Sequence, residues 1–134
     1  MQMQRMQAAD AVRGASRRLR ILVVDDEPLV AAAIGMMLDD HEVVVAAGGE
    51  AALLELAASA FDAVLCDLMM PRMSGMQLYD RVKQTSPGDE RRIVFMSGGV
   101  FSAAVGRFLD RVPNPCVDKP LDLAAVHAAL VSVL

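Results

Sequence analysis

The sequence has few cysteines, no long apolar run and little positive charge over most of its length. Its two cysteines, Cys66 and Cys116, make neither a disulfide framework nor a metal site, and we expect both to be small buried strand residues. No apolar run reaches the roughly 18 residues of a membrane span. Residues 1–20 lack the apolar block of a signal peptide. These absences predict a cytoplasmic protein without membrane insertion.

Positive charge is concentrated at the start of the chain. Residues 1–20 carry five arginines and one aspartate, whereas the remainder carries eight basic and sixteen acidic residues. Phosphate contacts need Lys and Arg, so the acidic body is not expected to bind nucleic acid. At 134 residues the chain has room for one domain. We interpret residues 1–19 as a basic N-terminal extension or linker and residues 20–134 as that domain.

Short apolar runs rich in β-branched residues alternate with helical stretches. The predicted strands are 20–24, 42–46, 63–66, 93–96 and 116–117. The predicted helices are 28–38, 51–60, and one from near Ser74 that is marked by Leu78 and Val82. A fourth has Phe101, Val105 and Phe108 along one face, and a fifth, after the N-cap Asp122, has Leu123, Val126 and Leu130 along one face. Five strand–helix repeats predict an α/β fold with a parallel sheet covered by helices on both faces.

Polar residues follow four of the five predicted strands. They are Asp25, Asp26 and Glu27 after the first, Asp67 after the third, Ser97 after the fourth, and Asp118 and Lys119 after the fifth. Ligands of an open parallel sheet bind beyond the carboxyl ends of its strands, so these groups are expected to converge. An Asp after a strand is by itself more often a helix cap or turn residue. Lys119 is more telling, because the chain has eleven arginines and only two lysines.

The types of these residues indicate phosphoryl transfer. Asp25, Asp26 and Asp67 would place three like charges close together, which raises pKa values or requires a counter-charge. A site with few carboxylates and several waters suits Mg²⁺ better than Ca²⁺. Lys119 can reach a phosphoryl oxygen, and Ser97 offers a hydroxyl donor. A carboxylate nucleophile, a metal, an ammonium and a hydroxyl are the groups that phosphoryl transfer needs.

Four motifs carry a family resemblance: ILVVDDEP, VLCDLMMPRMSG, IVFMSGG and CVDKP. In this order and at this spacing they resemble the receiver domains of two-component response regulators, over about residues 19–134. The resemblance implies that Asp67 is the phosphoacceptor and receives its phosphoryl group from a histidine kinase or a histidine phosphotransfer protein. It implies that Asp26 binds Mg²⁺ directly, that Asp25 assists, and that the backbone carbonyl of Met69 completes the coordination.

The resemblance has further implications for fold and switching. It implies that Ser97 is the switch hydroxyl, that Lys119 contacts the phosphoryl group, and that the Lys119–Pro120 peptide bond is cis. The implied fold is flavodoxin-like, a five-stranded parallel sheet in the order 2-1-3-4-5. The implied protein is not an enzyme with an external substrate, because it catalyses only its own phosphorylation and dephosphorylation.

The chain departs from the family pattern at one position. Receivers often carry Tyr or Phe three residues before the lysine, where this chain has Cys116. That puts the usual coupling to a downstream effector in doubt and leaves phosphorylation untouched. The segment RFLDRVPNPCVDKPLDL also resembles receivers fused behind hybrid histidine kinases, which would make this domain one module of a longer chain.

Three alternatives remain open. A magnesium-dependent aspartyl phosphatase of the haloacid dehalogenase type carries Asp-x-Asp after its first strand, where this chain has Asp-Asp-Glu-Pro. A flavodoxin-like electron carrier needs a loop rich in Ser, Thr and Gly after its first strand, where backbone N–H groups bind the flavin phosphate. The three acidic residues at 25–27 would repel that phosphate. A pseudo-receiver would serve protein binding alone. The complete set of acids, Ser97 and Lys119 argues against it, whereas Cys116 keeps it open.

Overall fold

Strands and helices alternate along the whole described part of the chain. The computed structural model describes residues 18–99 and 102–134. The strands are β1 (Arg20–Val24), β2 (Glu42–Ala46), β3 (Ala63–Asp67), β4 (Ile93–Ser97) and β5 (Cys116–Asp118). The helices are α1 (Pro28–Met37), α2 (Gly49–Ala58), α3 (Gly75–Thr85), α4 (Ala103–Arg111) and α5 (Leu123–Val133), with a short 3-10 helix (Asp89–Arg92) before β4. The sequence had predicted all of these except the 3-10 helix.

The five strands form one parallel sheet in the order β2-β1-β3-β4-β5. This confirms the flavodoxin-like fold. Its strand β3 lies at the centre, with β1 on one side and β4 on the other. Every residue of β3 and β4 is buried, because both faces of these strands are covered by helices. The ends of β1, β3 and β4 therefore lie side by side at one edge of the sheet.

Two hydrophobic layers hold the helices against the sheet. Successive strand residues point to opposite faces, so Val23 and Leu65 pack with α1 and α5, whereas Val24 and Cys66 pack with α2, α3 and α4. The helices thus fix the sheet from both sides. None of the helices within the described ranges is long and apolar enough to cross a membrane.

Local signals in the sequence set where several helices begin. Ser74 and Gln77 form a capping box at the start of α3, in which each side chain accepts a hydrogen bond from the other's backbone N–H. Asp122 caps α5, as predicted, by accepting from the N–H of Ala125 at 3.0 Å. Pro28 occupies the first turn of α1, where its missing N–H has no cost.

Some predicted details differ from the structure. Helix α2 begins and ends two residues earlier than predicted, since Gly49 continues a helix that its alanines favour and Ser59 is already extended. Leu123 is exposed at the start of α5, and Ala129 joins Val126 and Leu130 on the buried face instead. Val105 and Phe108 are buried as predicted. Phe101 and residues 1–17 of the predicted extension lie outside the described residues.

Candidate functional site

One ammonium group bridges two carboxylates at the carboxyl edge of the sheet. Lys119 follows β5 directly and donates from Nζ to Oδ2 of Asp25 at 3.0 Å and to Oδ2 of Asp67 at 3.1 Å. Asp67 is the last residue of β3, and Asp25 follows β1. Because β1 and β3 are neighbours, the two carboxylates lie close enough for a single side chain to contact both. The peptide bond between Lys119 and Pro120 is cis, which confirms that prediction.

The other oxygen of each carboxylate accepts a hydrogen bond from the backbone. Oδ1 of Asp25 accepts from the N–H of Glu27 at 2.9 Å, and Oδ1 of Asp67 accepts from the N–H of Met69 at 3.3 Å. Each side chain therefore has one oxygen on the ammonium and one on the loop that follows its own strand. This arrangement limits the rotation of both carboxylates and directs them toward each other.

Burial and the ion pairs act on the charges of the site in opposite directions. Burial raises the pKa of Asp67 above its ordinary 3.8, while the hydrogen bond and charge of Lys119 oppose that rise. Burial by itself would lower the pKa of Lys119, but the hydrogen bonds to Asp25 and Asp67 raise it above 10.5 overall. Lys119 is therefore fully charged at neutral pH and supplies a permanent counter-charge to the carboxylates.

Three carboxylates at this edge could share a metal ion. Asp25, Asp26 and Asp67 each offer an oxygen, and these oxygens lie within 4.8 Å of one another. Three carboxylates and one ammonium leave the cluster with two negative charges in excess, which one divalent cation neutralises. Hard oxygen ligands of this kind suit Mg²⁺. The donor set present in the chain thus fits the predicted metal. The Met69 carbonyl as a fourth ligand stays a prediction.

Ser97 contacts Lys119 through the backbone, since the Lys119 N–H donates to the Ser97 carbonyl at 2.7 Å, but no described hydrogen bond joins the Ser97 hydroxyl to the carboxylates or the ammonium. Ser97 is the last residue of β4, is buried, and lies beside β3 because Asp67 pairs with Met96. Its hydroxyl has one neighbour among the described hydrogen-bonding groups, the carbonyl oxygen of Gly99 at 3.5 Å, which is a weak contact. The hydroxyl is therefore not held by a strong bond. Its role as the switch stays a prediction.

Gly75 shapes the loop that carries Asp67. Its N–H donates to the carbonyl of Leu68 at 2.9 Å. A Cβ at this position would lie 2.6 Å from the backbone oxygen of Asp67 and 3.0 Å from Cα of Leu68. Only glycine lets the start of α3 approach the end of β3 this closely. The capping signal at Ser74 located the helix start, but nothing in the sequence indicated the contact.

Cys116 corrects one prediction. Cys66 is buried as expected, but Cys116 is exposed. Val117 is buried in the three-residue edge strand β5, so its neighbours Cys116 and Asp118 point to the opposite, uncovered face. Cys116 is therefore not a packing residue. The effect of its replacing an aromatic ring on output stays a prediction.

A parallel α/β sheet with an acidic cluster and a lysine at its carboxyl edge defines a class of signalling domain, and comparison with known proteins agrees. The family model of the response regulator receiver domain matches residues 21–131. The chain therefore belongs to the receiver-domain family of two-component response regulators, as the motifs had indicated.

Relatives and solved structures support the same family. The sensor histidine kinase RcsC of Salmonella typhi is 30% identical over 116 residues, which cover 84% of this chain and 12% of that protein. A gliding motility regulatory protein of Myxococcus xanthus is 34% identical over 73 residues, 53% of this chain and 9% of that protein. The chain thus spans about a tenth of the length of these relatives.

Two solved structures share the fold. The chemotaxis protein CheY4 of Vibrio cholerae has a TM-score of 0.75 at 24% identity, and the match covers 88% of this chain and all of that one. A response regulator receiver protein from Pseudomonas putida has a TM-score of 0.76 at 24% identity, covering 86% and 97% of the two chains.

Proposed function

We propose that this receiver domain takes a phosphoryl group onto Asp67 from the phosphohistidine of a histidine kinase or a histidine phosphotransfer protein. The observation that carries the proposal is the contact of Lys119 with both Asp25 and Asp67, beside the third carboxylate of Asp26. A carboxylate nucleophile next to a fixed positive charge and a divalent-cation site is suited to stabilising a phosphoryl group in transfer.

The proposed step is a substitution at phosphorus. A carboxylate oxygen of Asp67 forms a bond to phosphorus while the bond from phosphorus to the donor imidazole nitrogen breaks. The imidazole leaves with the electron pair, and Asp67 becomes an acyl phosphate. Lys119 moves its hydrogen bond from Asp67 to a phosphoryl oxygen, and the Ser97 hydroxyl donates to another. Mg²⁺, held by Asp25, Asp26, Asp67 and the Met69 carbonyl, would neutralise negative charge on the phosphoryl oxygens.

The proposal includes limits on what the domain does. It catalyses its own phosphorylation and the hydrolysis of its aspartyl phosphate, and no external substrate is turned over. The reaction takes place in the cytoplasm, where ATP charges histidine kinases. The phosphorylated form then signals to a downstream effector or passes the phosphoryl group on. The idea that this domain is one module of a longer histidine kinase chain is supported by its likeness to part of the sensor histidine kinase RcsC.

Labelling with a small phosphodonor tests the chemistry. Acetyl phosphate and Mg²⁺ should add one phosphoryl group, detected by intact mass, and Asp67→Asn should abolish the addition. The control is Asp80→Asn, an exposed carboxylate on α3, which should be labelled like the parent. Labelling of Asp67→Asn, or indifference to a chelator, would contradict the proposal. An unlabelled parent would favour a pseudo-receiver, and sustained turnover of a phosphate ester would favour a phosphatase.

Helix α1 supplies a surface for the donor protein. It begins directly after Glu27, next to the acidic cluster, and its ten residues include no charged or hydrogen-bonding side chain. Leu29 is 86% exposed and Met36 is 78% exposed, seven residues apart and hence on one helical face. Monomeric proteins rarely expose contiguous apolar surface without a partner for it. A donor that brings its histidine to Asp67 must cover this edge of the domain.

A comparison of two donors tests the docking surface. Leu29→Glu should slow transfer from phosphorylated histidine kinases of the source organism, screened one by one, and should leave labelling by acetyl phosphate unchanged. Leu54→Glu is the matched control, because Leu54 on α2 is 73% exposed and lies away from α1. If Leu29→Glu slowed phosphorylation by both donors equally, the substitution would act on phosphoryl transfer at Asp67 and not on docking of the donor protein. No slowing by Leu29→Glu would remove α1 from the docking surface.

A further inference from the structure

A cleft lies at the end of the sheet remote from Asp67, apart from the acidic cluster. It has a volume of about 400 Å³ and runs between α2 and α3 beside the first residues of β3 and β4. Its apolar lining includes Leu53, Leu56, Phe61, Val82 and Ile93. The volume falls within the range of roughly 300–1,000 Å³ of small-molecule sites, which are mostly apolar with a few polar groups. No residue of the acidic cluster lines it.

Short side chains on α2 open this cleft. Ala57 lies in the last turn of α2 and Ala60 follows it, both are exposed, and both line the space that faces α3. Because both line the cleft, longer side chains at these positions would occupy part of its volume. Short side chains at the end of α2 and just after it therefore contribute to the volume of the cleft.

Two arginines give the rim of the cleft an excess of positive charge. Among the described residues neither Arg81 nor Arg92 has a carboxylate within salt-bridge distance. Arg92 uses one Nη1–H to donate to the carbonyl of Phe61 at 3.0 Å, and its other donors have no acceptor among the hydrogen bonds of the described residues. Asp89 is the one acidic residue that lines the cleft. Residues 21–134 carry twice as many acidic as basic side chains, so the charge of this rim is opposite in sign to that of the domain as a whole.

We propose that the cleft binds an amphipathic organic anion, with its apolar body against Leu56 and Val82 and its carboxylate at Arg81 and Arg92. The apolar lining accounts for the body of the ligand, and the two guanidinium groups, neither of which has a described carboxylate partner, account for its charge, because Arg binds carboxylates through paired N–H donors. A medium-chain fatty acid carboxylate is the simplest ligand of this class.

NMR titration of the full chain with decanoate below its micelle concentration tests the proposal. We expect saturable shifts centred on residues 53–61, 82–86 and 89–93. Ala57→Leu fills the cleft without changing charge and should weaken binding about tenfold or more, as overfilled cavities resist a further apolar group. Arg81→Gln should weaken it by a factor of roughly 10, the loss expected for one charge-assisted hydrogen bond. The controls are Ala104→Leu and Arg107→Gln on α4, which should bind like the parent.

Two related ligands separate the roles of charge and apolar burial. Decanol and decyltrimethylammonium should bind more weakly than decanoate, since neither offers an acceptor anion to the arginines. Shifts scattered over the surface, or equal affinity of the parent and Ala57→Leu, would overturn the site. Decanol binding as tightly as decanoate would overturn the assignment of an anionic ligand.

Discussion

The side-chain nitrogen of Lys119 lies 3.1 Å from Oδ2 of Asp67, although 52 positions separate the two residues in the sequence. The same nitrogen contacts Asp25. Lys119, which follows β5, therefore connects the carboxyl ends of β1 and β3. The sheet order makes this contact possible, because β3 lies between β1 and β4. The contact holds the proposed nucleophile against a positive charge before any phosphoryl group arrives.

Replacing Lys119 tests that charge directly. Lys119→Met should slow phosphorylation by acetyl phosphate roughly 100-fold, because loss of one charge-stabilising donor typically costs this much. The control is Lys83→Met, since Lys83 is the other lysine of the chain and lies exposed on α3. Circular dichroism should show both variants folded. An equal effect of the two substitutions would assign the loss to overall charge and not to the contact with Asp67.

Metal affinity should depend more on Asp26 than on Ser97. Asp26→Asn removes a charge and a ligand from the three-carboxylate cluster, so we expect Mg²⁺ affinity to fall at least roughly tenfold. Mutation of a group that only hydrogen-bonds to a metal ligand already lowers metal affinity by about that factor. Ser97→Ala should leave Mg²⁺ affinity within about twofold, because a hydroxyl that acts on the phosphoryl oxygen adds little to metal binding. Fluorescence or calorimetric titration would measure both. Matching affinities would show that Asp26 does not bind the ion.

Gly75 should be needed for both stability and labelling. Gly75→Ala forces a Cβ to within 2.6 Å of the Asp67 backbone oxygen, so we expect a loss of about 1–3 kcal/mol in the free energy of unfolding, together with slower phosphorylation. Gly35→Ala is the matched control. Nothing lies within 4 Å of a Cβ there, and alanine in the middle of α1 should stabilise by about 0.5–1 kcal/mol. Urea unfolding would measure both, and a Gly75→Ala variant as stable and reactive as the parent would contradict the contact.

His41 should make the domain less stable below neutral pH. Burial lowers the pKa of His41 below 6.5, with the charge of His127 as a second cause, and Nδ1 accepts the N–H of Leu19 at 3.1 Å. As the pH falls below 6.5, the imidazole of His41 is protonated in the unfolded chain before it is protonated in the folded one. The contribution of His41 to the free energy of unfolding is therefore fully present above pH 6.5 and is lost as the pH falls below that value.

A pair of histidine variants isolates this effect. Asparagine at position 41 retains an acceptor for Leu19 without titrating, so His41→Asn should remove most of the change in stability between pH 7.5 and 5.5. His127→Gln, at the other histidine of the chain, should retain most of it. Urea unfolding at the two pH values measures the difference. A pH dependence unchanged in His41→Asn would assign it to other groups.

The alternation of strand and helix was determined by the sequence alone. Short apolar runs rich in Val, Ile and Leu favour strands of a parallel sheet, and they located β1 and β2 to the residue. The rule that ligands meet the carboxyl ends of strands then placed Asp25, Asp67 and Lys119 at one edge. Family resemblance added the strand order, which the structure confirms.

The tertiary structure decided which faces are covered and which atoms touch. Two apolar residues at 116–117 cannot specify a face, and only the packing of Val117 into the core layer beside α5 turns Cys116 outward. The approach of Gly75 to Asp67 depends on how α3 meets β3, and the cleft between α2 and α3 depends on their separation. A sequence encodes local preference and periodicity, whereas these distances follow from several elements packing at once.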